Sequence, residues 1–440
     1  MSKHNLIKKI TLVLATTIML SALAGCGAKT TTETSAPTSA AQAGAGDATE
    51  SKAVSGEIEE IEFYQMKPEA VDTFNEIIAR FEKENPNIKV KQNNVPDPRT
   101  VLQTRLASND VPDIILTYPN ETEFKLYVSE GYIMDISGTD ALKNIKTDIL
   151  DTIKIDGKDY SMPLSINTTG VFYNKAIFTE QGIKIPTTYD ELIAACDKLT
   201  AAGITPFALS DKDNWTVGIL ANLMVGMEMG KSTADAYFAE ALAGTQTFEK
   251  NPEMNLIADR LIQLRTYGSA DAAGTDINQA IAAFANGQAA MLFNGIWENP
   301  VITKANASLD YGMFPFPGTT ADKTAVIFGI DSAFSVSATT QHKDASLKFL
   351  AFLSSTEIAQ YFADNDKSPS CVVGVTAALP AIQELVKLLD AGKSFEWMHF
   401  KWPAGMENTF NTDFQTLVTT KDKAGFFTLM NQDFKAAGQS

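Results

Sequence analysis

Cysteine and histidine, the side chains that most often build metal and redox sites, are scarce in this 440-residue chain. There are three of each, and no two histidines have the HxxxH or HExxH spacing of a zinc site. Three cysteines are too few for a disulfide framework, although one bridge between Cys196 and Cys371 stays open. We therefore expect no metal site and no cofactor.

Arginine is also rare, and acidic side chains outnumber basic ones. The formal net charge is −17, which disfavours nucleic acid and anionic lipid surfaces as partners. Of the five arginines, all but Arg99 fall within predicted helices, away from the loops that would meet a ligand. Carboxylate and phosphate ligands usually require a bidentate arginine, so amino acids, organic acids and glycerol phosphates are disfavoured. The sequence also has no GxxxxGK(S/T) motif for ATP.

The first 26 residues have the pattern of a targeting segment. Three early lysines precede an apolar run over residues 10–22, which is too short to span a bilayer stably. The sequence Leu23-Ala24-Gly25-Cys26 then resembles a bacterial lipobox. We expect a signal peptide over residues 1–25 and a lipid such as palmitate on Cys26, which would anchor the protein to a membrane. The alternative is an ordinary secretory peptide with an incidental cysteine.

Residues 26–56 form the next segment, which is rich in Thr, Ser, Ala and Gly and has no aromatic side chain. Such a composition buries too little apolar surface to order itself, so we expect a disordered tether. The remaining part of the chain exceeds what one hydrophobic core usually supports. Two domains are therefore expected after residue 56.

The body of the chain alternates between strand and helix patterns. Strands are predicted at 58–64, 88–92 and 113–117, and helices at 68–85, 99–108 and 120–130. This order favours a parallel sheet with helices on both faces, in which ligands bind at the carboxyl ends of the strands. Further on, we predict a hairpin at 153–161, an extended polar segment at 162–170 and a strand at 171–174.

The second half opens with Thr188, whose hydroxyl precedes Glu191 by three residues and predicts a helix-capping box. The later predicted helices and strands cover residues 217–229, 254–267, 311–316, 327–336, 344–353 and 357–363. Residues 277–298 combine an amphipathic helix, a stop at Gly287, a buried strand and Trp297. From its position alone, this tryptophan either fills the core at a strand end or offers a flat platform to a ligand.

Five segments carry a family resemblance. They are FEKENPNIKV (81–90), NDVPDIIL (109–116), YSMPLSINTTGVFYNKAIF (160–178), AAFANGQAAMLFNGIWE (282–298) and KDASLKFLAFLSSTEIAQ (343–360). In this order, and with the lipobox, they make the chain similar to the extracellular solute-binding proteins of ABC importers. The resemblance is to the carbohydrate-binding group that includes the maltose-binding protein, and it covers residues 57–440.

This resemblance implies a two-lobed α/β periplasmic-binding-protein fold of type II. Each lobe would be a mostly parallel sheet flanked by helices, and the lobes would close over a ligand. Lobe I would comprise residues 57–165 and 323–368, and lobe II residues 166–322 and 369–440. Three crossings would join them, near residues 164–169, 316–323 and 367–375.

A sugar site needs aromatic platforms and planar polar side chains. The loops at the expected cleft supply both kinds, namely Tyr64, Gln65, Tyr118, Asn120, Glu121, Asn214, Trp215, Trp297, Glu298 and Asp331. By resemblance, Trp297 matches the family's stacking tryptophan most closely. Trp397 or Trp402 would cap the cleft from lobe II, and the sequence leaves open which one. Tyr64 or Gln65 faces either the core or the cleft, depending on the phase of the strand.

The resemblance further implies a monomeric, non-enzymatic lipoprotein on the outer face of the bacterial cell membrane. It would capture a neutral mono- or oligosaccharide and deliver it to membrane permease subunits. One alternative is a sugar-sensing or adhesive lipoprotein without a transporter. The other is a glycoside hydrolase, which needs two carboxylates that face each other across the scissile bond. Glu121 and Glu298 have the further interpretation of helix N-terminal carboxylates stabilised by the dipole.

Overall fold

The computed structural model of the protein describes residues 58–376 and 380–439. The predicted signal peptide, Cys26 and the tether lie outside these residues. Within the described ranges, none of the helices combines the length and apolar character needed to cross a bilayer. The described residues all belong to one compact unit, Val54–Ser440.

The first part of the described chain follows the predicted strand–helix alternation. Its elements are β1 (Glu59–Tyr64), α1 (Val71–Glu84), β2 (Ile88–Asn93), α2 (Pro98–Ala107), β3 (Ile114–Thr117), α3 (Thr122–Ser129) and α4 (Thr147–Ile153). Helix α1 buries Phe74, Ile77, Ile78 and Phe81 on one face, as its apolar spacing predicts. It ends where the Asn85 side chain donates to the carbonyl oxygen of Phe81 at 2.8 Å.

The middle of the chain contains the longest strand and most of the helices. Its elements are β4 (Met162–Asn174), α5 (Lys175–Glu180), α6 (Tyr189–Ala201), β5 (Thr205–Phe207), α7 (Asn214–Met229), α8 (Lys231–Leu242), α9 (Pro252–Leu264), α10 (Ile277–Ala285) and β6 (Ala289–Gly295). Thr188 caps α6 by accepting from the backbone N–H of Glu191. The Glu191 carboxylate accepts from the N–H of Thr187 and not from that of Thr188, so only half of the predicted box forms.

The last part returns to the first lobe and then ends in helices. Its elements are α11 (Asn299–Ala305), β7 (Tyr311–Phe314), β8 (Val326–Val336), α12 (Lys343–Leu353), α13 (Thr356–Asp366), α14 (Gln383–Asp390), β9 (Ser394–Glu396), α15 (Met406–Thr420) and α16 (Lys423–Ala437). The predicted hairpin at 153–161 is reduced to a single bridge between Ile155 and Lys158. Asp156 and Gly157 form its turn with positive φ angles, but α4 ends only at Ile153, so no more than two residues separate the helix from the turn.

The strands are ordered β2-β1-β3-β8-β4-β6-β5, with β7 beside β4 and β9 beside β8. The pairs β1–β2 and β1–β3 are parallel, which confirms the predicted ladder. Around β4 the pairing differs from a mostly parallel sheet, because β4 is antiparallel to β6, β7 and β8. The reason is that β4 and β8 are long strands that run between the two halves of the molecule in opposite directions.

Two main hydrophobic cores divide the described residues. The first contains Phe63, Phe74 and Phe334 and draws on residues 61–164 and 330–375. The second draws on residues 171–327 and 395–434. The polar segment at 162–170, which the sequence presents as a linker, is therefore the part of β4 that passes from one core to the other. Cys196 lies in the second core and Cys371 in the first, and both are free thiols, so they do not form a bridge.

Core membership also bears on the other two crossings. Phe316 and Ile327 pack in the second core, whereas Ile330 packs in the first. The second passage thus falls within β8, later in the chain than the expected 316–323. Val375 still belongs to the first core, so the third passage follows it and lies after the expected 367–375.

Candidate ligand-binding cleft

A cavity of about 1530 Å³ lies between the two cores and takes its lining from both. This volume exceeds the range of roughly 300–1,000 Å³ that is usual for small-molecule sites. Tyr118 enters from the loop after β3 and Asp331 from β8, whereas Trp215 and Trp297 enter from the second core. The carboxyl end of β3 therefore meets the cleft, as the sheet rule predicts.

Trp297 lies on a short 3-10 turn that directly follows β6. Its indole ring fills the space that a side chain on Gly295 would need. A Cβ added to Gly295 would come within 2.0 Å of the ring. The glycine thus permits a close approach that any larger residue would prevent. The ring is half-buried and lines the cleft, which favours the platform interpretation over simple core filling.

The two tryptophans of the segment after β9 have different environments. Trp397 lines the cleft, and its Nε1 lies 3.4 Å from Oδ1 of Asn167. Trp402 instead packs in the second core, with ring centroids 4.9 Å from Phe238 and 4.8 Å from Phe410. Both rings are buried members of the second core, and Trp397, at 6% exposure, also lines the cleft, whereas Trp402 does not.

A buried group of charges forms part of the cleft floor. The Lys67 ammonium, which is 3% exposed, bonds to Asp331 and lies 3.2 Å from Oδ1 of Asp366. Burial lowers the pKa of Lys67, but the charges of Asp331 and Asp366 outweigh this and raise it well above its usual value. Asp331 turns its second oxygen toward Nδ2 of Asn167 at 3.4 Å. The floor is thus held by charge-assisted bonds within the protein.

Glu298 follows Trp297 and is 6% exposed. Asn294 donates to its carboxyl group at 3.2 Å, and the side chain does not cap α11 within the described chain. Burial and the nearby charge of Glu69 raise the pKa of Glu298 to about 8. The carboxyl is therefore largely protonated at neutral pH, and it lines the cleft as a group that can donate as well as accept a hydrogen bond.

Arg99 and Glu121 form an ion pair at the cleft edge. Two guanidinium nitrogens each donate to a different carboxylate oxygen at 2.8 Å, and the guanidinium also lies 5.1 Å from the centroid of the Tyr118 ring. Burial raises the pKa of Glu121, and the charge of Arg99 opposes that rise. Arg99, the one arginine that the sequence places near the expected ligand, is therefore already paired with a carboxylate.

Contacts between the two cores surround this pair. Thr122 donates to the carbonyl oxygen of Trp402 at 2.7 Å, and the N–H of Gly405 donates to Glu123 at 3.1 Å. Beside them, Glu121, His399 and Glu407 bring one ligand-type atom each to within 4.8 Å of one another. Burial lowers the pKa of His399 to about 4, so its ring is neutral. Because Arg99 occupies both oxygens of Glu121, the cluster fits an ion pair better than a metal ion.

Four of the predicted ligand residues do not line the cleft in the described structure. Tyr64 is fully buried, and its hydroxyl donates to the carbonyl oxygen of Pro98 at 2.7 Å. Gln65 is also fully buried, and it binds Gln92 and the N–H of Lys67. The side chain of Asn120 lies 3.4 Å from Glu396, on the contact between the cores. Trp402 is the fourth.

Asn214 is at the cleft, but it donates to Asn408 and Thr412 at 3.0 and 2.9 Å. Sequence reasoning missed Asn167, because the polar run around it was interpreted as a linker. It also missed Lys67, which lies three residues after the end of β1 and gives no sequence signal of its long-range partners. Ligand contact by the lining residues remains a prediction for each of them.

Comparison with known families matches residues 67–360 to the bacterial extracellular solute-binding proteins. The Multiple sugar-binding protein of Streptococcus mutans is 33% identical over 382 residues, which cover 85% of this chain and 89% of that protein. The structure of SBP RafE in complex with raffinose has a TM-score of 0.79 at 30% identity and covers 86% of this chain and 99% of that chain. The apo form of RafE from Streptococcus pneumoniae has a TM-score of 0.73 at 29% identity, over 87% and 99% of the two chains.

These matches confirm the resemblance carried by the five sequence segments and the two-lobed α/β fold that it implies. They also agree with a cleft that takes its lining from both cores. The chain belongs to the bacterial extracellular solute-binding protein family.

Proposed function

We propose that this protein is the substrate-binding lipoprotein of an ABC importer and captures a neutral mono- or oligosaccharide for delivery to membrane permease subunits. The observation that carries the proposal is the convergence of three tryptophans with planar polar side chains in one cleft between two cores. Apolar C–H faces of a sugar suit the indole rings, and its hydroxyls suit carboxyl and amide groups. The names of the relatives point the same way, since they include a Multiple sugar-binding protein and a raffinose-bound protein.

A neutral ligand is favoured by the state of the two cations nearest the floor. Lys67 is engaged by Asp331 and Asp366, and Arg99 is engaged at both carboxylate oxygens of Glu121. An anionic ligand that used either of these two buried cations would have to displace a carboxylate. A neutral ligand leaves the pairs intact and uses the remaining acceptor positions.

Capture involves closure of the two lobes over the sugar. The bonds from Thr122 to Trp402 and from Gly405 to Glu123 join the start of α3 to the segment between β9 and α15, which packs in the second core. These two bonds must break for the cleft to open, so they stabilise the closed conformation relative to the open one. A ligand that contacts both lobes makes more contacts in the closed conformation than in the open one. It therefore shifts the equilibrium between the two conformations toward the closed one. The closed form then docks on the permease.

The protein works outside the cytoplasm, and we propose that a lipid on Cys26 holds it on the outer face of the cell membrane, with residues 27–56 as a tether. A monomer suffices, because both walls of the cleft come from one chain. We propose lobe I as residues 57–165 and 323–368 and lobe II as 166–322 and 369–440. The residues that pack in each hydrophobic core favour positions for the second and third lobe boundaries that are slightly later in the chain than 322/323 and 368/369.

The proposal includes the absence of catalysis. The family that the chain belongs to is described as solute-binding, and the relatives named above are binding proteins, which supports a function without catalysis. Release of reducing ends from oligosaccharides would contradict this part of the proposal. A sensor or adhesin without a transporter is the other alternative, and the absence of permease genes beside this one would favour it.

A thermal-shift screen of the compact unit Val54–Ser440 tests the ligand class. The panel contains neutral mono- and oligosaccharides, uronic acids, peptides and polyamines. We expect stabilisation by at least one neutral sugar, because a ligand at 100 times its Kd adds about 2.7 kcal/mol to the folded state. Trp297→Ala should reduce this stabilisation to about 0.8 kcal/mol, because a loss of about 2 kcal/mol in binding brings the same ligand concentration to roughly three times Kd. A response to a peptide or polyamine with none to any sugar would overturn the proposal.

A further inference from the structure

One cation at the cleft differs from the others because it has no carboxylate partner. Lys67 and Arg99 are paired with buried carboxylates. At the rim, the Lys304 ammonium lies 3.5 Å from Asp72. Lys367 also lines the cleft and is half-buried, yet its ammonium makes neither an ion pair nor a hydrogen bond within the part of the chain that the structure describes.

The acidic residues next to Lys367 in the chain are engaged elsewhere. Asp366 bonds through one oxygen to the Lys67 ammonium and through the other to a serine hydroxyl. Asp364 accepts from the side-chain amide of Gln360 at 2.9 Å. The three N–H donors of the Lys367 ammonium are therefore available to a ligand.

The backbone of Lys367 has a defined and uncommon conformation. The residue ends α13 in the left-handed region, with φ 58° and ψ 36°, and its N–H donates to the carbonyl oxygen of Ala363 at 3.0 Å. Glycine is the usual residue at such a helix end, because it lacks the Cβ that this conformation crowds. Lys421 ends α15 in the same region, but it is exposed and does not line the cleft. The conformation is thus not peculiar to the cleft, and Lys421 provides a matched control.

The charged side chains of the cleft are mostly hydrogen-bond acceptors. Nine carboxyl groups line it, against four lysine and arginine side chains, of which three are paired. A sugar hydroxyl donates one hydrogen bond and accepts up to two, so ionised carboxylates bind its proton and leave its lone pairs without partners. A buried polar group without a partner weakens binding. A free ammonium supplies the missing donor.

We propose, on the basis of the proposed function, that Lys367 is a ligand-binding residue whose ammonium donates to a hydroxyl oxygen of the captured sugar. The contact selects for a sugar that carries a hydroxyl at this place in the cleft. An anionic group there would gain one cation but would also meet the surrounding carboxylates, so a neutral hydroxyl is the better partner. The neighbouring Asp366 belongs to the ion-paired floor, which presents the lysine from a fixed position.

Titration calorimetry tests the contact. The probes are raffinose, maltotriose and xylotriose, together with any other neutral sugar that stabilises the wild type in the thermal-shift screen. Lys367→Met should weaken binding by about 10-fold or more, the usual effect of losing a hydrogen bond to a charged group, without lowering the melting temperature. Lys367→Arg keeps a charged donor and should bind more tightly than K367M. Lys421→Met should leave the affinity unchanged.

Glycine variants separate binding from backbone strain. K367G and K421G remove a Cβ from the same left-handed conformation, so neither should lower the melting temperature. Only K367G should weaken binding. Equal effects of the two glycine variants on the affinity, or an unchanged affinity in K367M, would overturn the inference.

Monodeoxy derivatives of the sugar that binds identify the oxygen in contact. One derivative should bind the wild type more weakly than the parent sugar does but should lose nothing further on K367M, because the hydroxyl and the ammonium act through one bond. If every derivative loses the same factor on both proteins, the contact is refuted. If Trp297→Ala weakens sugar binding and K367M does not, this inference fails and the proposed function stands. If no neutral sugar binds the wild type, the proposed function fails, and the contact fails with it.

Discussion

The buried ammonium of Lys67 allows a stability prediction that can be worked out from the structure. Its side chain is 3% exposed, and the two carboxylates that it holds, Asp331 and Asp366, are 8% and 2% exposed. Lys67→Met removes the cation and leaves both carboxylates without it. Breaking a buried ion pair by removing one partner costs about 3–5 kcal/mol, so we expect a loss of that size in the free energy of unfolding at pH 7.

The loss should depend on pH in a defined direction. Burial raises the pKa of Asp366, and the Lys67 charge opposes that rise. Without the ammonium, Asp366 binds a proton more readily in the folded protein, which relieves the uncompensated charge. The difference between variant and wild type should therefore be largest near pH 7 and shrink as the pH falls toward 4.

Urea denaturation followed by far-UV circular dichroism measures this effect. Fluorescence is less suitable, because all four tryptophans pack in or against the second core, whereas Lys67 meets the first. Lys143→Met is the matched control, since Lys143 and its partner Asp140 are 67% and 75% exposed and such surface pairs contribute at most about 1 kcal/mol. If K67M costs no more than K143M, the floor cluster does not stabilise the fold as argued.

Three further predictions concern single side chains. Trp297→Ala should weaken binding of the cognate sugar by about 2 kcal/mol in calorimetry, whereas Tyr64→Phe should leave the affinity unchanged because Tyr64 lies away from the cleft. Glu298 has its pKa raised to about 8 by burial, so wild-type affinity should fall between pH 7 and 9, and Glu298→Gln should remove that fall. Burial and the charge of Asp433 raise the pKa of Asp413 to about 8, far above its value in the unfolded chain. Unfolding then releases a proton between pH 4 and 8, so the wild-type melting temperature should drop as the pH rises across this window, and Asp413→Asn should flatten the drop; an unchanged slope in the variant would contradict this assignment.

The sequence by itself determined the elements with strong local signals. The apolar spacing of α1 predicted a helix at 68–85, and the structure has an α-helix at Val71–Glu84. Gly287 has the positive φ expected of a helix stop, and the strand after it leads to Trp297 as predicted. These features depend on residues a few positions apart, so their physics is already present in the local sequence.

Only the tertiary structure decided which side chains share the cleft. Tyr64 and Gln65 are both buried, which strand phase alone would not produce, because the end of β1 is covered by α2 at Tyr64 and by β2 at Gln65. Trp397 and Trp402 stand in the same segment, yet packing against Phe238 and Phe410 takes Trp402 into the core. Likewise, no local pattern joins Lys67 to partners more than 260 positions away. Such choices depend on contacts between distant segments, which exist only once both lobes have folded.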